Sequence, residues 1–139
     1  MTHDPIIVSI PHSGTRFLKK RLGIEDHMHV GPDWYMLWER VQNRPIVVPL
    51  RSPSEIWRSW CRRNSPEKFP YSQFFVAWGC LHALDQLCEL DVICIDKQED
   101  QRISDWSEVG SEDAGVANWK LLKVDLRPLF ELPIVERHY

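Results

Sequence analysis

The sequence lacks any apolar run approaching the ~20 residues that a membrane-spanning helix needs, although 43% of its residues are hydrophobic. Its first residues, Met-Thr-His-Asp-Pro, contain neither the basic nor the apolar segment of a signal peptide. Internal repeats and low-complexity segments are absent as well. We therefore expect a soluble, globular protein of the cytoplasm that does not interact with membranes.

Cysteine pairs with metal-binding spacing are also missing. The four cysteines, Cys61, Cys80, Cys88 and Cys94, form no Cys-x-x-Cys motif and no zinc-type pattern. Each lies in an apolar or helical stretch, where a free cysteine behaves as a small hydrophobic residue. We expect buried, reduced thiols and no metal site.

A strong excess of positive charge is absent too, since the formal net charge is -3, which argues against a general nucleic-acid binder. The charge is nevertheless uneven. Eleven basic and six acidic residues lie between His12 and Lys68, whereas ten acidic and two basic residues lie between Asp85 and Gly115. A small anionic ligand held by the first half would fit this distribution, although a solvated surface of mixed sign has similar counts.

Short β-branched runs alternate with segments of helical periodicity along the 139 residues, which suffice for one domain, 1–139. The patterns predict strands at 5–10, 28–30, 44–50 and 91–96, and helices at 15–22, 33–41, 54–63 and 72–90. Residues 97–116 are expected to be mostly irregular, and 119–126 to form a short helix or a last strand. The alternation predicts a three-layer α/β/α domain around a mostly parallel sheet of four to five strands.

The segment PHSGTR directly follows the first predicted strand and opens the first helix. Backbone N–H groups and the helix dipole attract anions at such a turn, and Gly14 permits the positive φ that close approach requires. Ser13, Thr15, His12 and Arg16 add side-chain donors. A capped helix without a ligand would have the same pattern. Because no Gly-Lys-Ser/Thr follows, magnesium-dependent triphosphate hydrolysis is disfavoured.

Two segments together resemble the sulfotransferase family. PHSGTRFL, from Pro11 to Leu18, resembles that family's 5′-phosphosulfate loop, usually Pro-Lys-Ser-Gly-Thr-Thr-Trp-Leu. LRSPSEIWRSW, forty residues later, resembles the 3′-phosphate segment, with Arg51, Pro53 and Ser59 at the family's spacing. The resemblance covers the chain through about residue 63 and is faint beyond it.

This resemblance implies a P-loop NTPase-like fold and 3′-phosphoadenosine 5′-phosphosulfate (PAPS) as co-substrate, without a metal. The implied reaction is in-line transfer of a sulfuryl group to a hydroxyl or amine, which depends on positioning and charge stabilisation. The residues that it assigns to PAPS are His12, Ser13, Gly14, Thr15 and Arg16 on the 5′ side, with Arg51 and Ser59 at the 3′-phosphate. Trp57 and Trp60 could lie near an adenine ring, but their helical spacing favours core packing.

The catalytic residues that the resemblance implies are histidines. His12 stands where the family carries Lys or Arg, and a protonated imidazole there could stabilise the bridging oxygen. A hydroxyl acceptor also needs a general base, for which His27 and His29 are the candidates, followed by Asp33 and Glu39. An ordinary surface histidine would fit the same positions.

Other functions remain open at this stage. The chain is shorter than usual family members, so an acceptor pocket would come from 31–42, 64–71 and 98–116, or from a partner subunit such as a second copy. The acceptor itself is an unknown small molecule. A P-loop-fold protein that binds nucleotide phosphates without catalysis is the alternative. A small nucleotide-dependent kinase is disfavoured, because Asp96 alone stands in a position to serve as a Walker-B acid.

Overall fold

The strands and helices alternate along the chain. The computed structural model describes residues 4–10, 13–30, 34–63, 71–97, 106–110 and 112–114. In chain order the elements are β1 (Ile6–Ser9), α1 (Thr15–Leu22), β2 (His27–His29), α2 (Trp34–Val41), β3 (Ile46–Leu50), α3 (Pro53–Arg63), α4 (Tyr71–Leu87), β4 (Asp91–Lys97) and β5 (Trp106–Glu108).

All five strands belong to one sheet, in the order β2-β1-β3-β4-β5. The first four are parallel to one another, and β5 adds an antiparallel edge next to β4. The prediction of an α/β fold with a mostly parallel sheet is therefore confirmed. Its assignment to the P-loop-like class stays a prediction.

Strand alternation divides the apolar side chains between the two faces of the sheet. On one face, Ile6, Val8 and other strand residues pack with the apolar sides of α3 and α4, including Trp57 and Trp78. On the other face, Ile7, Val47 and Ile95 pack with Leu18 of α1. Both faces of the sheet are thus covered by helices, as expected for parallel strands with continuous apolar sequences.

Helix α1 is bounded by two glycines in the left-handed conformation. Gly14 precedes it with φ 100°, and Gly23 follows it with φ 67°. Its last turn carries Lys19, Lys20 and Arg21, whose charges suit the negative end of the helix dipole. The predicted helix over 15–22 therefore has the predicted bounds.

Strand β3 ends at Leu50, where the predicted strand over 44–50 ends, and it therefore includes Pro49 inside the sheet. β3 is registered with β1 at Ile46 and Val47, and with β4 from Val47 to Leu50. Pro49 therefore lies past the stretch registered with β1, where its missing N–H removes no ladder hydrogen bond on that side.

The three-residue strand β5 lies within 97–116, which was expected to be mostly irregular. Helix α3 begins at Pro53, one residue before the predicted start at Ser54. The Ser52 carbonyl accepts its first hydrogen bond from the Ile56 N–H, 3.0 Å away. Proline at the first helical position loses no helical hydrogen bond. Asp33 and the predicted element over 119–126 lie outside the described residues. Within the described residues, no helix is both long and apolar enough to cross a membrane.

Candidate functional site

The order of the strands reverses between β1 and β3. From β1 the chain passes through α1 to β2 on one side, and it then returns through α2 to β3 on the other side. Ligands of open α/β sheets bind in the crevice that such a reversal leaves at the carboxyl ends of the strands. The loop after β1 contains Ser13 and Gly14, and the loop after β3 begins with Arg51. Both predicted motifs therefore flank this crevice.

Gly14 forms the turn that leads into α1. Its φ of 100° and ψ of 30° place it in the left-handed region, and its carbonyl accepts the first helical hydrogen bond from the Leu18 N–H, at 3.2 Å. A Cβ atom here would overlap the Ile95 side chain and would lie 2.9 Å from Trp106. The turn therefore needs glycine both for its backbone conformation and for its close neighbours.

The two hydroxyl groups beside Gly14 are buried and already bonded. Ser13 Oγ donates to the Ile10 carbonyl at 2.6 Å, which closes the loop after β1. Thr15 Oγ1 lies 2.7 Å from Ser9 Oγ at the end of β1. Ser13 thus shapes the turn, whereas the Thr15 hydroxyl can turn its proton between Ser9 and the mouth of the turn.

His27 and His29 lie side by side on the edge strand β2. Their ring centroids are 5.5 Å apart in an edge-on arrangement, so the extended conformation brings them to the same side, as alternation requires. His29 Nδ1 lies 3.2 Å from Ser9 Oγ. His29 is therefore connected to Thr15 through a single buried hydroxyl.

The pKa of His29 is lowered below its ordinary value. Desolvation is the main cause, and the charge of His27 adds to it, while a hydrogen bond to the Ser9 backbone acts in the opposite direction. The residue as a whole is exposed, but its Nδ1 side faces the buried Ser9 hydroxyl. Desolvation and the charge of His27 both favour the neutral form of the His29 imidazole.

Arg51 is almost entirely buried at the end of β3, with 1% of its surface exposed. Its Nε lies 3.3 Å from Asp96 Oδ1, and its Nη2 lies 3.7 Å from Glu55 Oε2. A buried guanidinium requires such partners because leaving its charge unpaired would be costly. Two carboxylates thus balance the positive charge of Arg51, the residue for which the resemblance implies contact with a 3′-phosphate.

Trp106 of β5 completes the crevice, and sequence reasoning missed it. The Arg51 Cζ atom lies 4.6 Å from the centroid of its ring. Phe17 of α1 stacks on the same ring at 6.4 Å between centroids, with an interplanar angle of 24°. The indole therefore lies between the Gly14 turn and Arg51. A three-residue edge strand in a polar, acidic segment gave no periodic signal that could have identified it.

The remaining predicted residues are more dispersed. Arg16 is exposed on α1, and Ser59 is half-buried on α3. His12 lies outside the described residues. Trp57 is buried in the core at 1% exposure, which confirms the expectation of core packing over a place beside a nucleotide base, whereas the side chain of Trp60 is not described.

Across the described ranges, no group of three or more His, Cys, Asp or Glu residues is placed to hold an ion. Asp96, the candidate Walker-B acid, pairs with Arg51. What the crevice does offer is a glycine turn at a helix N-terminus, a movable hydroxyl and a guanidinium, which together can hold an anion.

Comparison of the chain with models of protein families finds no match, and neither curated proteins nor solved structures match it.

Proposed function

We propose that this protein binds an adenosine nucleotide with anionic groups on its 3′ and 5′ sides, in the crevice between β1 and β3. The nucleotide is PAPS, and the function is transfer of its sulfuryl group to a hydroxyl or amine of a small molecule. His12 is proposed to stabilise the leaving oxygen, and the His27–His29 pair to supply the base. The P-loop-like fold and a cytoplasmic location belong to the same proposal.

One observation carries this proposal. Trp106 contacts both the Gly14 turn and the Arg51 guanidinium, so the two segments that resemble the phosphate-binding elements are separated by the width of one indole ring. Gly14 and Arg51 lie thirty-seven positions apart in the sequence. Their meeting at the strand-order reversal supports a ligand site there, because ligands of open α/β sheets bind at such a reversal.

Binding without catalysis is the second candidate, and the state of Arg51 favours it. Asp96 and Glu55 balance its charge, and Trp106 covers it. A 3′-phosphate at Arg51 would therefore share the guanidinium with these carboxylates, and their negative charge would offset part of its attraction for the phosphate. A protein selected for rapid turnover would gain from a guanidinium already aimed at the ligand.

Adenosine 3′,5′-bisphosphate tests both candidates through the thermal unfolding temperature. A ligand that binds only the folded state raises this temperature, by about 5 °C or more at a hundred times the dissociation constant. We expect that Arg51→Met abolishes the shift and that Arg58→Met retains it. The two arginines lie near each other in sequence, and both form ion pairs with Glu55, but Arg58 is exposed.

Absence of a shift in the wild-type protein would rule out both candidates. Because Arg51 is buried, Arg51→Met needs a check of its fold by circular dichroism, and Ser59→Ala provides a milder variant of the same proposed subsite. Incubation with PAPS and a panel of hydroxyl and amine acceptors then separates the candidates. Release of adenosine 3′,5′-bisphosphate that depends on an acceptor supports transfer, whereas binding without release supports the second candidate.

A further inference from the structure

Helix α4 is apolar on all of its sides. Of its seventeen residues, YSQFFVAWGCLHALDQL, only Asp85 belongs to the charged types, although 27% of the whole chain does. One side of the helix is buried in the core through Ala77, Trp78, Leu81 and Leu84. A surface helix normally carries charged residues on the opposite side, and a helix that is apolar all round is normally covered on both. The solvent-facing side of α4 therefore has the composition of a contact surface.

Two large apolar side chains stand on this solvent-facing side. Val76 is 43% exposed and Leu87 is 49% exposed, and because they are eleven positions apart they lie on the same side, three turns from each other. Between them lie Gly79, which is exposed, and Ala83, which is half-buried. A Cβ atom at Gly79 would meet no atom within 4 Å. We name Val76, Gly79, Ala83 and Leu87 the outer face of α4.

The charges at the ends of α4 do not suit its own dipole. Its first turn contains no acidic residue and its last turn no basic one. At the carboxyl end, Asp85 lies in the last turn and Glu89 follows it, exposed to solvent. These carboxylates add to the negative end of the helix dipole, where cations are favoured instead. An identical helix that runs antiparallel would bring its positive amino end beside them, so the two ends of α4 are complementary to each other.

We propose that the outer face of α4 binds the same face of a second copy, as an antiparallel pair of helices about a two-fold axis. Such an interface is self-complementary, so every contact occurs twice. Val76 of each copy meets Leu87 of the other. Gly79 lies near Ala83 of the other copy, where small side chains let the backbones approach, and Glu89 lies beside the first turn of the opposite helix. The pairing is independent of the proposed function.

The size of the outer face sets the expected affinity. It is about 16 Å long and about 10 Å wide, which is well below the ~800 Å² that each partner contributes to a standard interface. We therefore expect a weak dimer, with a dissociation constant in the micromolar range or above. A membrane surface fits the face less well, because helices that lie on membranes carry Lys and Arg on their polar side and α4 contains neither.

Sedimentation velocity of the full chain in reducing buffer measures this association. From about 10 μM to about 1 mM, the average mass of the wild-type protein should rise from that of one chain towards that of two. Gly79→Gln should remain a single chain, because the longer side chain has room within one copy but separates two copies. Leu22→Lys is the matched control. Leu22 is 41% exposed but lies on α1, so this variant should associate like the wild-type protein.

An exchange of charges tests the antiparallel arrangement. Val76→Lys alone and Leu87→Glu alone each place an unpaired charge between the helices, and each should abolish association. The two substitutions in one chain should restore it, because the introduced ammonium group of each copy then meets the introduced carboxylate of the other. Within one copy the two positions are about 16 Å apart along the helix, too far for an ion pair.

The outcomes separate the possible occupants of the outer face. A wild-type protein that stays a single chain at every concentration overturns the proposal, and leaves residues 115–139 or a different protein as the occupant. Association that persists in Gly79→Gln and Leu87→Glu also overturns it, because the copies then meet through another surface. Single variants that dissociate without recovery in the double variant overturn the antiparallel arrangement. Thermal unfolding of each variant verifies that its fold is retained, which the exposure of the substituted positions predicts.

Discussion

Arg51 and Trp106 are in direct contact, with the guanidinium carbon 4.6 Å from the centroid of the indole ring. They belong to different strands of the sheet, since Arg51 follows the central strand β3 and Trp106 begins the edge strand β5. A cation over an aromatic face is stabilised, more strongly where water is excluded. The contact therefore stabilises the position of the short β5 strand beside the crevice that we propose as the anion site.

Replacement of Trp106 by alanine removes this contact together with the stacking of Phe17. Because the side chain is half-buried, we expect a loss of about 2 kcal/mol in the free energy of unfolding. Urea unfolding of the variant measures it. Trp106→Phe keeps an aromatic face and should recover part of the loss, and equal stabilities of the wild-type protein and Trp106→Ala would contradict the role assigned to this contact.

Gly14→Ala is expected to destabilise the protein by about 2–4 kcal/mol. Its positive φ is unfavourable for alanine, by about 1–2 kcal/mol, and a methyl group would also press on Ile95 and Trp106. Gly23→Ala is the matched control, because Gly23 also has a positive φ but no atom lies within 4 Å of the added carbon. Urea unfolding of both variants should show the larger loss at Gly14, and equal losses would mean that the packing around Gly14 yields easily.

The lowered pKa of His29 predicts a dependence of stability on pH. A histidine that is harder to protonate in the folded state leaves stability unaffected above its unfolded pKa, near 6.5. Stability is then lost as the pH falls from that value through the folded pKa, because the unfolded chain binds the proton more readily. Urea midpoints between pH 5 and 8, without added anions, should fall less steeply in His29→Gln than in the wild-type protein. If the urea midpoints of the two proteins changed equally with pH, the lowered pKa of His29 would be contradicted.

Cys94 should resist alkylation in the folded protein. Desolvation, together with the charge of Glu108, raises the pKa of this thiol to about 11, so that about one molecule in a thousand carries the reactive thiolate at pH 8. Peptide mass spectrometry after brief treatment with iodoacetamide should find Cys94 unmodified in buffer and modified in denaturant. Rapid modification of Cys94 in buffer would show that β4 opens at this position.

None of the three cysteines with described side chains, Cys80, Cys88 and Cys94, forms a disulfide bond. Cys80 and Cys94 are buried, as the sequence predicted, whereas Cys88 is half-buried. Burial raises the pKa of each one. The apolar stretches around these cysteines were enough to predict reduced thiols. A cysteine outside any metal-type spacing behaves as a small hydrophobic residue.

The mostly parallel sheet and the positions of the two motifs could be predicted from the amino-acid sequence. Four β-branched runs and the helical stretches between them carry strong local periodicity, and short connections then allow few topologies. The position of Gly14 between a predicted strand and a predicted helix likewise indicated a turn with a positive φ. The start of α3 was misplaced by one residue only, because proline at the first helical position loses no helical hydrogen bond.

The surroundings of the predicted site, in contrast, follow from contacts between distant segments. No local pattern indicates that Trp106 returns to cover Arg51, that Asp96 pairs with the same guanidinium, or that Ser9 connects Thr15 to His29. These contacts join residues that are six to fifty-five positions apart. Their formation depends on strand order and register, because pairing places the ends of β1, β2, β3 and β4 at one edge of the sheet, where side chains from separate segments meet.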